Sequence, residues 1–269
     1  MSAADKVFTG SMAEVYDTHL VPLIFESYAV DLATRAAGLT PDATLEIAAG
    51  SGVLTRALGD VLRPEARQVA TDLNSPMLQR AAAMQAEPDR VDWRTADAMD
   101  LPFADDSFDV VACQFGVMFF PDRVKAYAEA RRVLRPGGSF VYNMWDRIEE
   151  NDFACVVTEA LANSYPTDPP RFLARTPHGH HDPARFEDEL LEAGFTDVAI
   201  EAVDGVSIAS GPEIPAVAYC QGTPLRSEIE DRTDPDLEQA TDYAAAAIAD
   251  RFGTGQVEGR IRGFVIAAS

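Results

Sequence analysis

Short apolar segments that alternate with helix-like segments constrain the fold of this chain more than any other feature. Each apolar segment in the first half has the length of one buried strand, and the residues between them have helical spacing. The strand candidates are Thr44 to Ala48, Gln68 to Thr71, Val91 to Arg94, Phe108 to Cys113 and Ser139 to Met144. This alternation predicts an α/β fold with a parallel, doubly wound sheet that binds ligands at the C-terminal ends of its strands.

The helix candidates and the second half of the chain complete this prediction. Helical spacing marks Leu54 to Leu62, Pro76 to Gln85 and Asp122 to Leu134, and Arg135 to Gly138 is a helix stop signal. Later strand candidates are Asp197 to Val203 and Gly263 to Ala267, with helix candidates at Pro212 to Cys220 and Pro235 to Phe252 between them. We predict one domain over residues 1–269, with a core at residues 40–145 and a helical cap formed by residues 146–183 and 204–256.

The charge of the chain restricts its partners. It carries 44 acidic and 22 basic side chains, a formal charge of −22, so nucleic acid and anionic membranes are poor candidates and a small molecule is the better one. Three widely spaced cysteines suit reduced thiols. The sequence shows neither a signal-type N-terminus nor an apolar run long enough to span a membrane. We therefore expect a soluble, cytoplasmic protein.

The loop after the first strand is the first candidate for a binding site. Its text, Ala48 to Gly52, has small residues and precedes a helix, which allows backbone amides to approach a ligand, although an ordinary strand-to-helix turn explains it equally well. A dinucleotide would place its pyrophosphate there, with Asp72 on the ribose. Glu46 argues against this, because its carboxylate would repel a pyrophosphate and attract a ligand with a positive amine.

Two more carboxylates follow the next strands. Asp72 can accept hydrogen bonds from both hydroxyls of a ribose, since a carboxylate offers only acceptor sites. Asp97, followed by the backbone amide of Ala98, can take an exocyclic adenine amine and a ring nitrogen. For both aspartates, helix capping is the structural alternative.

Taken together, LEIAAGSG (45–52), ATDLNSPML (70–78), TADAMDLPF (95–103), FDVVACQFGVMFFPD (108–122) and LRPGG (134–138) resemble the class I S-adenosylmethionine-dependent methyltransferases. Within this family the chain resembles in particular the small-molecule enzymes similar to the ubiquinone and menaquinone biosynthesis group. The resemblance implies a Rossmann-like seven-stranded sheet with an antiparallel last strand, and S-adenosylmethionine as cofactor. Ala48 departs from the family, which usually has glycine there.

The resemblance also implies roles for individual residues. It assigns Asp72 to the ribose and Asp97 and Ala98 to adenine. The remaining cofactor-binding candidates are the residues beside the loop, those that would flank the adenine ring, and one residue near the sulfonium: Glu46, Ala48, Gly50, Gly52, Leu73, Met99 and Gln114. For Leu73 and Met99, ordinary core packing is the alternative.

The acceptor and any general base are expected outside the strand ends. His19 is a candidate general base in an N-terminal helical stretch that, in the family this chain resembles, often folds over the cofactor, and Tyr16 would then be a lid residue. A simple surface helix is the alternative. We expect removal of residues 1–20 to leave the fold intact. In the cluster His178 to Asp182, we expect His181 to act in proton removal and His180 to bind the acceptor. A solvated loop is the alternative, and we expect no metal. Phe115, after the fourth strand, is an acceptor-pocket candidate.

Three alternative functions share parts of this pattern. A nicotinamide oxidoreductase would have the same fold class but would retain NAD. A non-catalytic cofactor-binding protein would not release S-adenosylhomocysteine with any acceptor. A methyltransferase for macromolecules is disfavoured by the negative charge. The sequence favours methyl transfer to a small organic acceptor by in-line displacement, in which the protein mainly aligns the reacting atoms and excludes water.

Overall fold

Seven β-strands form one sheet in the computed structural model of this chain, which describes residues 11–269. The order across the sheet is β3-β2-β1-β4-β5-β7-β6. The strands are β1 Ala43–Glu46, β2 Arg67–Asp72, β3 Val91–Thr95, β4 Phe108–Cys113, β5 Leu134–Trp145, β6 Val198–Ala209 and β7 Val257–Ala268.

The pairing of these strands confirms the predicted sheet. Strand β1 runs parallel to β2 and β4, β2 is parallel to β3, and β4 is parallel to β5. Strands β6 and β7 are antiparallel, because Asp197 and Ser269 each donate a backbone hydrogen bond to the other's carbonyl. The strand order reverses between β1 and β4, which is where open sheets of this kind bind ligands.

Helices connect the strands and precede the sheet. A ten-residue π-helix, Tyr16–Phe25, follows the first α-helix directly. The α-helices are α1 Ser11–Val15, α2 Glu26–Gly38, α3 Val53–Val61, α4 Ser75–Met84, α5 Arg123–Val133, α6 Asp152–Ser164, α7 Phe172–Arg175, α8 Pro183–Glu192, α9 Glu213–Gln221, α10 Leu225–Glu230 and α11 Leu237–Phe252. No helix within residues 11–269 is long and apolar enough to cross a membrane.

The chain divides into two compact units. The sheet unit comprises Glu26–Met144, Asp182–Ala202 and Phe264–Ser269. The helical unit comprises the described residues up to Phe25, together with Trp145–His181 and Val203–Gly263. The predicted cap segments fall largely within the helical unit, and the single-domain assignment stays a prediction.

Strands β5, β6 and β7 extend well beyond their predicted bounds, whereas β2 and β3 are longer than predicted by only one or two residues. Helix α5 ends at Val133, and β5 begins at the next residue because Leu134 pairs with Phe108. The predicted stop signal therefore ends the helix but lies inside the strand. Strands β6 and β7 extend beyond their predicted bounds through segments in which single apolar residues alternate with glycine or polar residues, so no continuous apolar run marks them.

The N-terminal segment is part of the core of the helical unit. Met12, Leu20 and Val21 are buried, and Ser207 on β6 donates a hydrogen bond to the carbonyl of Leu23 at 2.9 Å. Removing residues 1–20 would expose apolar core. Of the residues that this deletion removes, Met12 and Leu20 are buried, so the deletion takes away part of the apolar core, and the expectation that the fold stays intact remains a prediction.

The loop after β4 packs closely against the loop after β1. A methyl group added at Gly116 would lie 2.5 Å from the Cβ of Ala48 and 2.8 Å from the Sγ of Cys113. Ala48 itself has a φ of 55°, in the left-handed region that costs a residue with a side chain about 1 kcal/mol. The methyl group of Ala48 therefore occupies the space that a side chain at position 116 would need.

We expect Gly116→Ala to lower the free energy of unfolding by about 1–3 kcal/mol through overpacking. Ala48→Gly should change it by no more than about 1 kcal/mol and should reduce the cost of Gly116→Ala in the double variant. Chemical denaturation of the four proteins measures this coupling. Gly59→Ala is the control, because its added methyl meets no atom closer than 3.5 Å. Strictly additive effects would contradict the packing argument.

Candidate functional site

The loop between β1 and α3 forms the centre of the candidate site in the sheet unit. Gly50 and Gly52 have φ values of 55° and 79°, which favour glycine. Gly52 has a second reason to be glycine, because an added methyl would lie 2.9 Å from the Cβ of Ala81 on α4. At Gly50 the nearest atom to an added methyl is Cε of Met77 at 4.0 Å. Packing therefore requires glycine at 52, whereas backbone conformation alone favours it at 50.

Asp72, the last residue of β2, connects three loops. Its Oδ2 accepts the backbone N–H of Gly50 at 2.8 Å, and its Oδ1 accepts that of Asn74 at 2.7 Å. Its carbonyl also accepts the N–H of Ala96 at 3.1 Å. Burial raises the pKa of Asp72, and the two amide bonds oppose this. Each carboxylate oxygen keeps a further acceptor position, which suits a pair of ligand hydroxyls.

Helix capping at this position belongs to Asn74 rather than to Asp72. The Asn74 side chain accepts the backbone N–H of Met77, and α4 begins at the next residue, Ser75. The capping alternative for Asp72 is therefore not what the structure shows. The carboxylate instead holds the loop after β1 in place.

Glu46, the last residue of β1, is a buried carboxyl with 1% of its surface exposed. Its Oε2 accepts a hydrogen bond from Oγ1 of Thr55 on α3 at 2.6 Å. Burial raises the pKa of Glu46 to about 8, and the negative charge of Asp72 adds to this effect. The Thr55 bond and the positive charge of Arg56 act in the opposite direction. A positive charge placed near this buried carboxyl group would stabilise its ionised form.

Gln114 directly follows the last residue of β4, Cys113. Glu46, the last residue of β1, pairs with Ala112 on the same strand, so Gln114 follows the strand end that neighbours Glu46. The residue is half-buried. Its place beside the sulfonium stays a prediction.

The loops after β2 and β3 carry the predicted adenine residues. Oδ1 of Asp97 accepts the N–H of Met99 at 2.9 Å, which closes a tight turn. Ala98 is buried and Met99 is half-buried, whereas Leu73 is 60% exposed. The core alternative for Leu73 is therefore wrong. The contact of Leu73 with the adenine ring of the cofactor stays a prediction.

Phe115, in the loop after β4, contacts helix α2. Its ring packs edge-on against Tyr28 with centroids 5.3 Å apart, and the residue is buried. Its φ of 49° is in the left-handed region, as is that of Ala48. Strained residues of this kind cluster at functional sites, and both flank the close contact at Gly116. Phe115 remains a predicted acceptor-pocket residue.

The remaining candidates lie in the helical unit. Tyr16 begins the π-helix and packs against Phe25, with ring centroids 5.5 Å apart, and His19 is half-buried in the same helix. His181 is exposed, and its Nδ1 lies 2.8 Å from the carbonyl oxygen of His178. His180 is half-buried.

The histidine loop also starts a helix. Asp182 caps α8 by accepting the N–H of Ala184, with Pro183 in the first turn, as the sequence indicated. Within residues 11–269, no three His, Cys, Asp or Glu side chains are grouped so that they could hold a metal ion.

Three residues of these surroundings escaped the sequence interpretation. Thr55, the hydrogen-bond partner of Glu46, is the third residue of α3. The only signal in the sequence was a small polar residue in the first turn of the helix that follows the glycine loop. Gly116 was readable as a glycine in the loop after β4. His178 carried no signal that separated it from its two neighbours.

Comparison with known proteins identifies the family. A methyltransferase domain matches residues 45–142. An uncharacterised protein of Mycobacterium tuberculosis is 40% identical over 112 residues, which are 41% of this chain and only 40% of the length of that relative. A demethylmenaquinone methyltransferase of Renibacterium salmoninarum is 30% identical over 188 residues, covering 66% of this chain and 77% of that enzyme.

A solved structure shares the fold. Phosphoethanolamine N-methyltransferase 2 of Haemonchus contortus, in complex with S-adenosyl-L-methionine, superposes with a TM-score of 0.63 at 15% identity, over 100% of this chain and 60% of that one. At this identity the likeness concerns the fold alone. The sequence matches go further, and they show that this chain belongs to the class I S-adenosylmethionine-dependent methyltransferases.

Proposed function

We propose that this chain transfers a methyl group from S-adenosylmethionine to a small organic acceptor. The observation that carries the proposal is the pair of carboxyl groups, Glu46 and Asp72, at neighbouring strand ends around the Gly50–Gly52 loop. One suits a cationic ligand group and the other suits paired hydroxyls. A nicotinamide dinucleotide would bring its pyrophosphate to the same loop, beside Glu46, and this disfavours the oxidoreductase alternative.

The residues of the sheet unit would hold the cofactor. Asp72 would bind the ribose, and Glu46 would attract the positive charge of the methionine part. Asp97 and Ala98 would bind adenine, with Leu73 and Met99 beside the ring. The bound cofactor supplies an electrophilic methyl group on a sulfonium, so the protein has to align the acceptor and exclude water.

The acceptor is proposed to be small because the net charge of −22 disfavours nucleic acid. The relative from Renibacterium is named a demethylmenaquinone methyltransferase and the structure with the same fold a phosphoethanolamine N-methyltransferase, so this fold serves different acceptors and does not by itself identify the one of this chain. We assign acceptor recognition to Phe115 and to the helical unit, with Tyr16, His19, His180 and His181 as its candidates.

Turnover tests this function directly. Protein incubated with S-adenosylmethionine and a panel of phenols, hydroquinones, primary amines and thiols should release S-adenosylhomocysteine with at least one class, and mass analysis should show a product heavier by one methyl group. Tyr16→Phe and His19→Gln should lower turnover far more than cofactor affinity. Binding of NAD without binding of S-adenosylmethionine would overturn the proposal.

We expect Asp72→Ala to weaken binding of both S-adenosylmethionine and S-adenosylhomocysteine by about 2–3 kcal/mol, because two charge-assisted hydrogen bonds to the ribose are lost. Asp72→Asn, which keeps the shape and one acceptor oxygen, should lose less. Calorimetric titration measures the cofactor affinity of both variants, and circular dichroism verifies that the two Asp72 variants remain folded. Unchanged affinity in Asp72→Ala would remove this residue from the cofactor site.

Cofactor affinity should rise with pH up to about 8 and then level off. The pKa of Glu46 in the free protein is about 8, so at neutral pH binding of a cation must release its proton. Calorimetry in buffers of different ionisation enthalpy measures this release. Glu46→Gln should weaken binding and flatten the pH profile, and tighter binding in this variant would contradict the electrostatic argument.

Glu46 also makes the free energy of unfolding of the cofactor-free protein depend on pH. The folded pKa of Glu46 lies above its ordinary 4.5, so the folded state holds the proton more firmly than the unfolded state does. The contribution of Glu46 to the free energy of unfolding therefore falls as pH rises from 4.5 to about 8. Thermal unfolding of Glu46→Gln should show a smaller decline over this range than the unchanged protein.

A further inference from the structure

Thr55 differs from four hydroxyl side chains in other helices of this chain. Those four donate to the carbonyl four residues earlier on their own helix, a common bond for helical hydroxyls: Thr34, Thr158, Ser164 and Thr241. Thr55 on α3 instead donates to Oε2 of Glu46 on β1 at 2.6 Å. The carbonyl four residues before it, that of Ser51, accepts a guanidinium N–H of Arg56 at 2.8 Å. The hydroxyl is therefore directed to the strand end and not to its own helix.

A second strand fixes the position of Thr55. Its carbonyl accepts a hydrogen bond from Nε2 of Gln68 on β2 at 2.7 Å. Both residues are buried, and a β-branched side chain in a helix has few χ1 rotamers. Thr55 thus bonds to β1 through its side chain and to β2 through its backbone, which restricts the directions that its hydroxyl can take.

The carboxyl group of Glu46 depends on this hydroxyl. Within residues 11–269, Thr55 donates to Oε2 and no group donates a hydrogen bond to Oε1. A donor stabilises a carboxylate more than a neutral acid, so the Thr55 bond lowers the pKa of Glu46 while burial raises it. Loss of the hydroxyl would therefore make the ionised form of this carboxyl group less favourable.

The other titratable groups around Glu46 come from three elements. Asp72 on β2 raises the pKa of Glu46, and Arg56 on α3 lowers it. The thiol of Cys113 on β4 stays neutral, because burial raises its own pKa. None of these groups replaces the hydrogen bond that Thr55 donates.

We infer that Thr55 is a positioning residue for cofactor binding, whose hydroxyl holds the carboxylate of Glu46 in one orientation for the positively charged methionine part of S-adenosylmethionine. This inference rests on the proposed function and deepens it. In the free protein at pH 7, Glu46 mostly carries its proton, because its pKa is about 8. A cation binds the ionised form, so a hydrogen bond that favours this form reduces the cost of releasing the proton.

Thr55→Val keeps the shape of the side chain and removes its hydroxyl. We expect the affinity for S-adenosylmethionine at pH 7 to fall about tenfold, as loss of one charge-assisted hydrogen bond implies. The pH at which affinity levels off should move above about 8, because the pKa of Glu46 rises further. Calorimetric titration over a range of pH measures both. Unchanged affinity, or a fall without the shift in pH, would overturn the inference.

Two matched variants serve as controls. Thr55→Ser retains the hydroxyl and should keep the pH profile of the unchanged protein. Thr34→Val removes a hydroxyl that bonds to its own helix, and should leave both affinity and pH profile unchanged. A Thr55→Ser profile that matched that of Thr55→Val, or an equal loss of affinity in Thr34→Val, would contradict the assignment to this hydroxyl.

Combination with Glu46→Gln tests whether Thr55 acts through the carboxyl group. Where the ionisable group is already absent, Thr55→Val should lower affinity by less than about twofold, because residues that share one interaction are not additive. An undiminished tenfold loss in the double variant would show that Thr55 acts on the cofactor by another route, and the inference would be wrong.

A measurement on the unchanged protein covers the case in which Thr55→Val does not fold. The Thr55 hydroxyl proton, buried in its bond to Glu46, should exchange slowly enough for proton NMR, and its resonance should follow the titration of the Glu46 carboxyl carbon. Rapid exchange, or a resonance that does not follow this titration, would overturn the inference. Failure of the unchanged protein to bind S-adenosylmethionine at any pH would instead defeat the proposed function, so the two failures are distinguishable.

Discussion

The carboxylate of Asp72 is the interaction on which the cofactor end of the sheet depends. It accepts hydrogen bonds from the backbone amide of Gly50 in the loop after β1 and from that of Asn74 before α4. The backbone carbonyl of Asp72 accepts a third bond, from the amide of Ala96 after β3. Three loops that are distant in sequence thereby share one anchor. Because each oxygen uses only part of its accepting capacity on the backbone, the group that builds the site also remains able to bind a ligand.

Glu46 shows what such a site costs the folded protein. Its carboxyl group is buried beside Asp72 with a single hydroxyl donor, Thr55, and this raises its pKa to about 8. A buried acid of this kind destabilises the fold at neutral pH, and a cationic ligand offsets the cost. The same arrangement that weakens the free protein therefore favours a sulfonium over a phosphate.

The residues proposed for the cofactor and for the acceptor fall largely in different units. The sheet unit carries the strand-end residues proposed for the cofactor. The helical unit contains the π-helix and the histidine loop, to which acceptor recognition is assigned in our proposal. A π-helix at this position agrees with the tendency of such helices to occur at functional sites.

The sequence by itself determined the sheet and the positions of Glu46, Asp72 and Asp97, because apolar alternation and the residue that ends each strand are local properties. It also located the glycine loop and the cap of α8 at Asp182. Only the tertiary structure decided that Thr55 faces Glu46, that Gly116 faces Ala48, that Leu73 is exposed and that Met12, Leu20 and Val21 are buried. It also distinguished the buried His178 from His180 and His181, since the bond to the carbonyl of Asp146 joins two residues 32 positions apart in the chain. Burial and hydrogen-bond partners arise between distant segments, and no local pattern encodes them.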